Sequence, residues 1–306
     1  MNLRIETFFT LILLITISCV PIAPDESSFS LNDKFGDYWY QGEAELTSYK
    51  LEQARYGEIH EGKAVLIFVT EGFSKKNLVK LDNPNNAGDD NVTVMKLNFT
   101  KKFDTGIYPY SLMASVFTPV ERNKFPNTLK VTASAQEWCG HTFTQLNLKG
   151  NQYKGALNSY FESEGDQELS LNKTFLEDEI WNIIRLDPQS LPTGDFKVIP
   201  GTLFQRLKHL EFDVVNTSAT LKKEPEESGL MQYQVHFDQP ERDLIINFQK
   251  EFPHEIISWE ESYVDGFGEN ATKLTTKASK IETLKTDYWT KHNNEHTGLR
   301  KDLGLE

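Results

Sequence analysis

The sequence predicts a mainly β protein: an antiparallel meander curled into a barrel or half-barrel, with one central helix. Three observations lead there. Apolar residues recur with period two along most of the chain, turn-rich pieces separate the alternating runs, and one segment alone carries a helical stripe. Two small β domains joined by residues 165–200 are the alternative arrangement.

The first residues precede that body. Met1–Ser18 has a short polar start with Arg4 and an apolar run from Phe8 to Ile17. Ten residues are too few to span a bilayer of ~30 Å as a helix, and the run reads as a signal-peptide core. Ser18-Cys19 closes it with a small residue before a thiol, the lipoprotein processing pattern, although Thr16 stands where leucine is usual. Cys19 is therefore the expected lipidation site and new N-terminus. Acyl chains, at ~0.8 kcal/mol per buried methylene, would hold the chain on a membrane without a transmembrane helix. Residues 19–34, with two prolines, serines and acids, read as a flexible tether, and the β-rich body spans 35–290.

Formal net charge is −13, which repels phosphate backbones and excludes nucleic acid as an expected partner. With Cys19 acylated, Cys139 is left as a single thiol, so the fold rests on packing and not on disulfides.

Along the body, Ala44 to Leu51, Val92 to Phe99, Leu129 to Ala135, Leu210 to Val214, Ile257 to Tyr263 and Leu274 to Leu284 alternate as strands. Met231, Tyr233, Val235 and Phe237 alternate, Asp238-Gln239-Pro240-Glu241 turns, and Leu244, Ile246 and Phe248 alternate again: a hairpin. Ala64–Val69 is apolar on both faces, as in a covered central strand. The helix is predicted near 174–186, with Thr174 and Glu177 as a capping box, acids in the first turn, an apolar stripe through Ile180, Ile183 and Ile184, and a stop at Asp187-Pro188. Residues 291–306 read as a polar, solvated tail.

The chemistry-bearing stretch is Gln136–Thr142, QEWCGHT. Trp138-Cys139-Gly140 resembles the opening of a thioredoxin motif, but Thr142 stands where the resolving cysteine is needed, so a disulfide cycle cannot run. Cys139 and His141 are two apart and would share a strand face, the arrangement a thiol-dependent hydrolase or acyltransferase needs. No orienting group or oxyanion site accompanies them in the sequence. Cys139 shares the parity of Val131, Ala133 and Ala135, so it is expected to face inward as an inert core thiol, with Gly140 as a corner and His141 at the rim. His292-Asn293-Asn294-Glu295-His296 spells an inverzincin motif, but too little chain follows to supply the downstream carboxylate, and no metal is expected. No cofactor is expected either. Aromatic candidates for a ligand site are Trp39, Tyr108, Tyr110 and Trp138, since aromatic faces recognise sugars and apolar molecules alike.

With the processing site, DYWYQGEAELTSYKLEQARYGE (37–58), KFDTGIYPYSLMASVF (102–117), QEWCGHTFTQLN (136–147) and LTTKASKIETLKTDYW (274–289) together, the chain resembles a family of uncharacterised Bacteroidetes lipoproteins. Its members often carry the borrowed name "septum formation inhibitor Maf". True Maf proteins are cytoplasmic nucleotide pyrophosphatases with a Ser-x-Arg-Arg phosphate-binding start, which this chain lacks. The resemblance thus implies an envelope lipoprotein, and Maf activity is not carried across. The expected role is non-enzymatic: a chain lipid-anchored in the cell envelope, at the outer membrane, that binds an apolar or envelope-derived ligand or a protein partner.

Overall fold

The computed structural model describes residues 32–223 and 228–306; the leader, Cys19 and most of the tether lie outside the described residues. Sixteen strands form one sheet, all but one of them in a single hydrogen-bonded path. β1 (Ala44–Arg55) pairs antiparallel with β2 (Glu58–Ser74), which also carries the two-residue β3 (Val79–Lys80). The path continues through β4 (Asn91–Thr105), β5 (Tyr108–Pro119), β6 (Lys130–Glu137), β7 (Gly140–Lys149), β8 (Gln152–Ser159) and β9 (Gln167–Asn172).

After β9 the chain jumps to the other edge. β10 (Phe175–Leu176) pairs parallel with β11 (Gly194–Ile199), and β12 (Val215–Lys223), β13 (Leu230–Asp238), β14 (Glu241–Gln249), β15 (Ile256–Asp265) and β16 (Thr272–Thr286) return as an antiparallel meander to β1. The two edges, β9 and β10, are separated by Lys173 and Thr174 alone. A sheet whose edges are that close in the chain must curl, and it stays open along this seam: a half-barrel in one continuous sheet.

The hairpins obey local rules. Tyr56 and Gly57 join β1 to β2 with φ of 58° and 81°, the left-handed pair that a two-residue hairpin turn matching the strand twist requires. The 12-residue Ala44–Arg55 strand alternates with Tyr49, Leu51 and Gln53 inside.

The helix is shorter than its sequence pattern. Thr174 donates to the Lys197 carbonyl and does not cap; Glu177–Glu179 forms a 3-10 turn and α2 runs Ile180–Leu186. Glu179 caps in place of Glu177, its Oε1 accepting from the Leu176 amide at 3.0 Å. Every residue of α2 is buried, because the helix plugs the curled sheet. Asn182 Nδ2 donates to the Met95 and Val116 carbonyls and to Thr118, tying the plug to β4 and β5. Trp181, Phe99 and Trp259 meet edge-to-face with centroids 5.1–5.4 Å apart and fill the centre. A second short helix, α3 (Thr202–Lys208), closes one end of the barrel. His209 ends it with φ 53°, and the alternating Leu210–Val214 leads out of it as irregular chain, not as the expected strand.

The outer face near the chain start is also covered. The C-terminal segment crosses β16, β1 and β2, with α4 (Gly298–Asp302) followed by buried Leu303 against Ala44, Leu46 and Val69. Lys63 donates to the Gly304 carbonyl at 2.9 Å. Leu303→Ala is expected to cost about 2–3 kcal/mol in denaturant unfolding, since the side chain loses its apolar burial and leaves a void. A change within error would mean the segment adds no packing.

Candidate ligand-binding groove

The interior offers little room. Among the described residues, the space beside the helix plug, between Phe99, Lys101, Asp178, Trp181, Trp259 and Glu261, is 30 Å³, about enough for one water. Charged groups line it. Arg242 is bidentate to Glu177 and reaches Glu261 at 2.7 Å, with the Phe204 and Phe237 rings each 3.9 Å from its guanidinium. Asp178 accepts from the Thr202 amide at 3.0 Å and from its hydroxyl; burial raises its carboxyl to about 7, helped by Glu177 and opposed by Thr202 and Arg242. Lys101 is buried with Gln53 Oε1 3.4 Å away, and desolvation lowers its ammonium. These acids and bases belong to the plug's anchoring, and the sequence gives no sign of them because α2 reads there as an ordinary amphipathic helix.

Outside, a groove of 590 Å³ opens beside the chain start. The short helix α1 (Phe35–Trp39) lays Trp39 into its floor, where the ring packs near Phe35, Tyr38 and Phe68. Trp39 Nε1 is buried with no hydrogen-bond partner, although the Trp39 carbonyl accepts from Thr70 at 2.7 Å. Tyr40 and Trp289 stand half-exposed at the mouth, and Tyr288 lies 5.4 Å from Trp289, centroid to centroid. Between them runs a polar floor: Glu71, nearly buried, takes Lys96 at 2.9 Å, with Lys80 3.8 Å away. Strands β2 and β4 set this pair because Glu71 is opposite Val94 and Lys96 opposite Val69, so the two lie diagonally on the same outer face. Arg185 at the end of α2 supports the floor from below. Its guanidinium is bidentate to Glu45, with Nη2 to Oε2 at 2.6 Å, donates to the Pro253 carbonyl, and lies 5.1 Å from the Trp39 ring. Burial pushes the Glu45 carboxyl up, but Arg185 and Tyr38 more than offset that and hold it below its usual range.

Of the sequence-predicted residues, only Trp39 lies here. Tyr110 and Tyr108 sit at the opposite end of the barrel, hydrogen-bonded to Tyr56 at 2.6 and 3.0 Å, with Arg55 at 3.4 Å from Tyr110. The length of β1, twelve residues, lies between the two groups. Trp138 stands at a hairpin tip of that same opposite end. Trp289 was legible only as part of a shared motif, and Glu71 and Lys96 gave no signal, since they read as solvent-facing strand residues.

The QEWCGHT stretch corrects the parity argument. Val131, Ala133 and Ala135 do face the core, but β6 ends at Glu137 and Trp138-Cys139 is a two-residue turn to Gly140, so Cys139 is exposed instead of inward-facing. A turn breaks the period that a strand carries. Gly140 starts β7, and its missing side chain admits the Tyr160 ring, which a Cβ would approach to 2.5 Å. His141 is exposed, opposite Gln136. The Glu137 carboxylate beside Cys139 raises its thiol, the opposite of nucleophile activation. Glu137 is paired with Arg206 at 3.3 Å. Cys139 in the folded protein should react with a maleimide at the rate of an unhindered thiol of raised pKa, unchanged in His141→Ala; a large drop in His141→Ala would restore the dyad.

Among the described residues no helix is long and apolar enough to cross a membrane, and no cluster of histidine, cysteine and acids forms a metal site. His292 is exposed in irregular chain and His296 is half-buried at the end of the Asn294–His296 3-10 turn.

No family model matches the sequence, and no curated protein does. Among solved structures, the chain is similar to a β-barrel-like protein of a domain of unknown function, DUF1849, from Brucella abortus, at 8% identity and a TM-score of 0.45, over 79% of this chain and 96% of that one.

Proposed function

We propose that this chain is a lipid-anchored, non-enzymatic binding protein of the cell envelope, tethered through Cys19 and taking a saccharide-bearing envelope ligand in the outer groove. The reading is carried by the contrast between the 30 Å³ left beside the helix plug and a groove with Tyr40 and Trp289 at its mouth above the Glu71–Lys96 pair. An apolar ligand enclosed in the barrel needs space on the scale of hundreds of Å³, and 30 Å³ does not supply it. Sugars suit the groove because their C–H faces stack on aromatic rings while their hydroxyls both donate to a carboxylate and accept from an ammonium. The family resemblance and the leader support the envelope setting, and the raised Cys139 thiol favours binding over catalysis.

Titration of the soluble body with a panel of envelope oligosaccharides, read by calorimetry, tests this. Trp289→Ala is expected to weaken the best ligand about tenfold, roughly 1.4 kcal/mol, because a stacking face is lost. Glu71→Gln should weaken it too, by removing the charged acceptor. Binding that is indifferent to both variants would place the ligand elsewhere. For the anchor, Cys19→Ala should abolish acyl labelling and release the chain from membranes; retention of both would refute the tether.

A further inference from the structure

The end of the barrel farthest from the groove carries a ring of exposed apolar tips. Ile107 is 82% exposed in the β4–β5 turn, Trp138 68% in β6–β7, Tyr160 68% in β8–β9 and Phe267 72% in β15–β16. A single exposed apolar residue is ordinary, but four on separate hairpins of one end form a patch. They are held together around α3. Arg206 reaches Glu137 at 3.3 Å and Glu164 at 3.5 Å, joining the β6–β7 and β8–β9 tips, and Lys208 reaches Asp265 at 3.2 Å in the β15–β16 connection. Arg55 bonds the Leu207 carbonyl, and Tyr56 packs 6.2 Å from Phe267 and bonds Tyr108 beside Ile107.

The same tips are acidic. Glu58, Asp104, Glu162, Asp166, Glu211 and Glu269 are all exposed there, whereas the cations Arg206, Lys208 and Lys273 are each already paired with a carboxylate. We propose that this rim is a docking surface for a protein partner that presents lysines and arginines around an aliphatic patch. Charge decides the occupant. A second copy would set acid against acid, and an anionic lipid surface would be repelled likewise, whereas a basic partner is steered in and its aliphatic side chains are received by Trp138, Tyr160 and Phe267. Large aromatics of this kind are the usual anchors of protein interfaces.

The test uses the full chain carrying Cys19→Ala, so that no acyl group contributes, and a fluorescein-labelled amphipathic helix of lysine and leucine as probe, with a glutamate and leucine helix as its mirror. Anisotropy should show binding of the lysine helix only, weakening as salt rises. Trp138→Ser with Phe267→Ser should weaken it about tenfold or more, and so should Glu162→Gln with Glu269→Gln. Asp89→Asn with Glu121→Gln, which removes the same charge at the other end, should leave it unchanged. All six substitutions fall on exposed side chains, and circular dichroism checks the fold. Equal binding by parent and rim variants would overturn the proposal. So would rim-dependent flotation with zwitterionic vesicles, which would make the rim a membrane contact, or a dimer that the rim substitutions dissociate.

Discussion

Arg185→Met is expected to destabilise the protein by about 3–5 kcal/mol, the cost of leaving a buried carboxylate without its counter-charge. Glu45 and Arg185 are both fully buried, and the pair ties the end of α2 to β1 while the guanidinium lies over Trp39 and Phe68. Loss of the cation strands Glu45 with the Tyr38 hydroxyl as its remaining strong partner. Urea unfolding should show the midpoint fall at an unchanged slope. Glu45→Gln combined with Arg185→Met should recover a substantial part, because no charge is then buried alone. A single-variant loss under about 1 kcal/mol would mean that water reaches Glu45 or that the helix is held otherwise. Because Trp39 floors the groove, ligand affinity should fall in the single variant as well.

Asp178→Asn is expected to stabilise the protein in a pH-dependent way. The carboxyl rises to about 7 in the folded state, chiefly through burial, from an unfolded value near ~3.9. A raised acid binds its proton more tightly when folded, so its contribution is fully present below about pH 4 and is lost as pH climbs to about 7. Three units correspond to a loss on the order of 4 kcal/mol by neutral pH. Asparagine keeps an acceptor for Thr202 and carries no charge to desolvate, so parent and variant should be nearly equal at pH 4 and diverge towards pH 7. Parallel stability curves across that window would show that Asp178 titrates in the fold as it does unfolded.

These buried charges mark where sequence reading ran out. Alternation was enough to find β1, β4 and the β13–β14 hairpin, because a half-buried strand writes its two faces into the chain with period two, while β2 showed as the run Ala64–Val69, apolar on both faces. Lys101 and Glu261 interrupt that code by pointing inward, Lys101 towards Gln53 on β1 and Glu261 towards Arg242 on β14. The acids of Glu177–Glu179 fit the pattern of a helix start, yet each is committed to a tertiary contact: Glu177 to Arg242, Asp178 to Thr202, Glu179 to Thr128 and the Leu176 amide. Cys139 was misplaced for a local reason, since a two-residue turn halts the parity that Ala135 obeys. The β16–β1 pairing joins the ends of the described body through a register with one shift near Ser48 and Tyr49, which no local pattern specifies. The groove inherits that obscurity: Trp39 and Tyr40 come from the start of the chain, Glu71 and Lys96 from adjacent strands, and Trp289 from just beyond β16.

Native mass spectrometry of the protein purified from its own envelope shows directly whether the groove holds a saccharide. A stoichiometric adduct with the mass of a saccharide-bearing molecule, present on the parent and missing from Trp289→Ala, is the predicted result. A purely lipidic adduct retained equally by parent and Trp289→Ala would contradict it, since the ligand would then be held outside the groove and without its aromatic face.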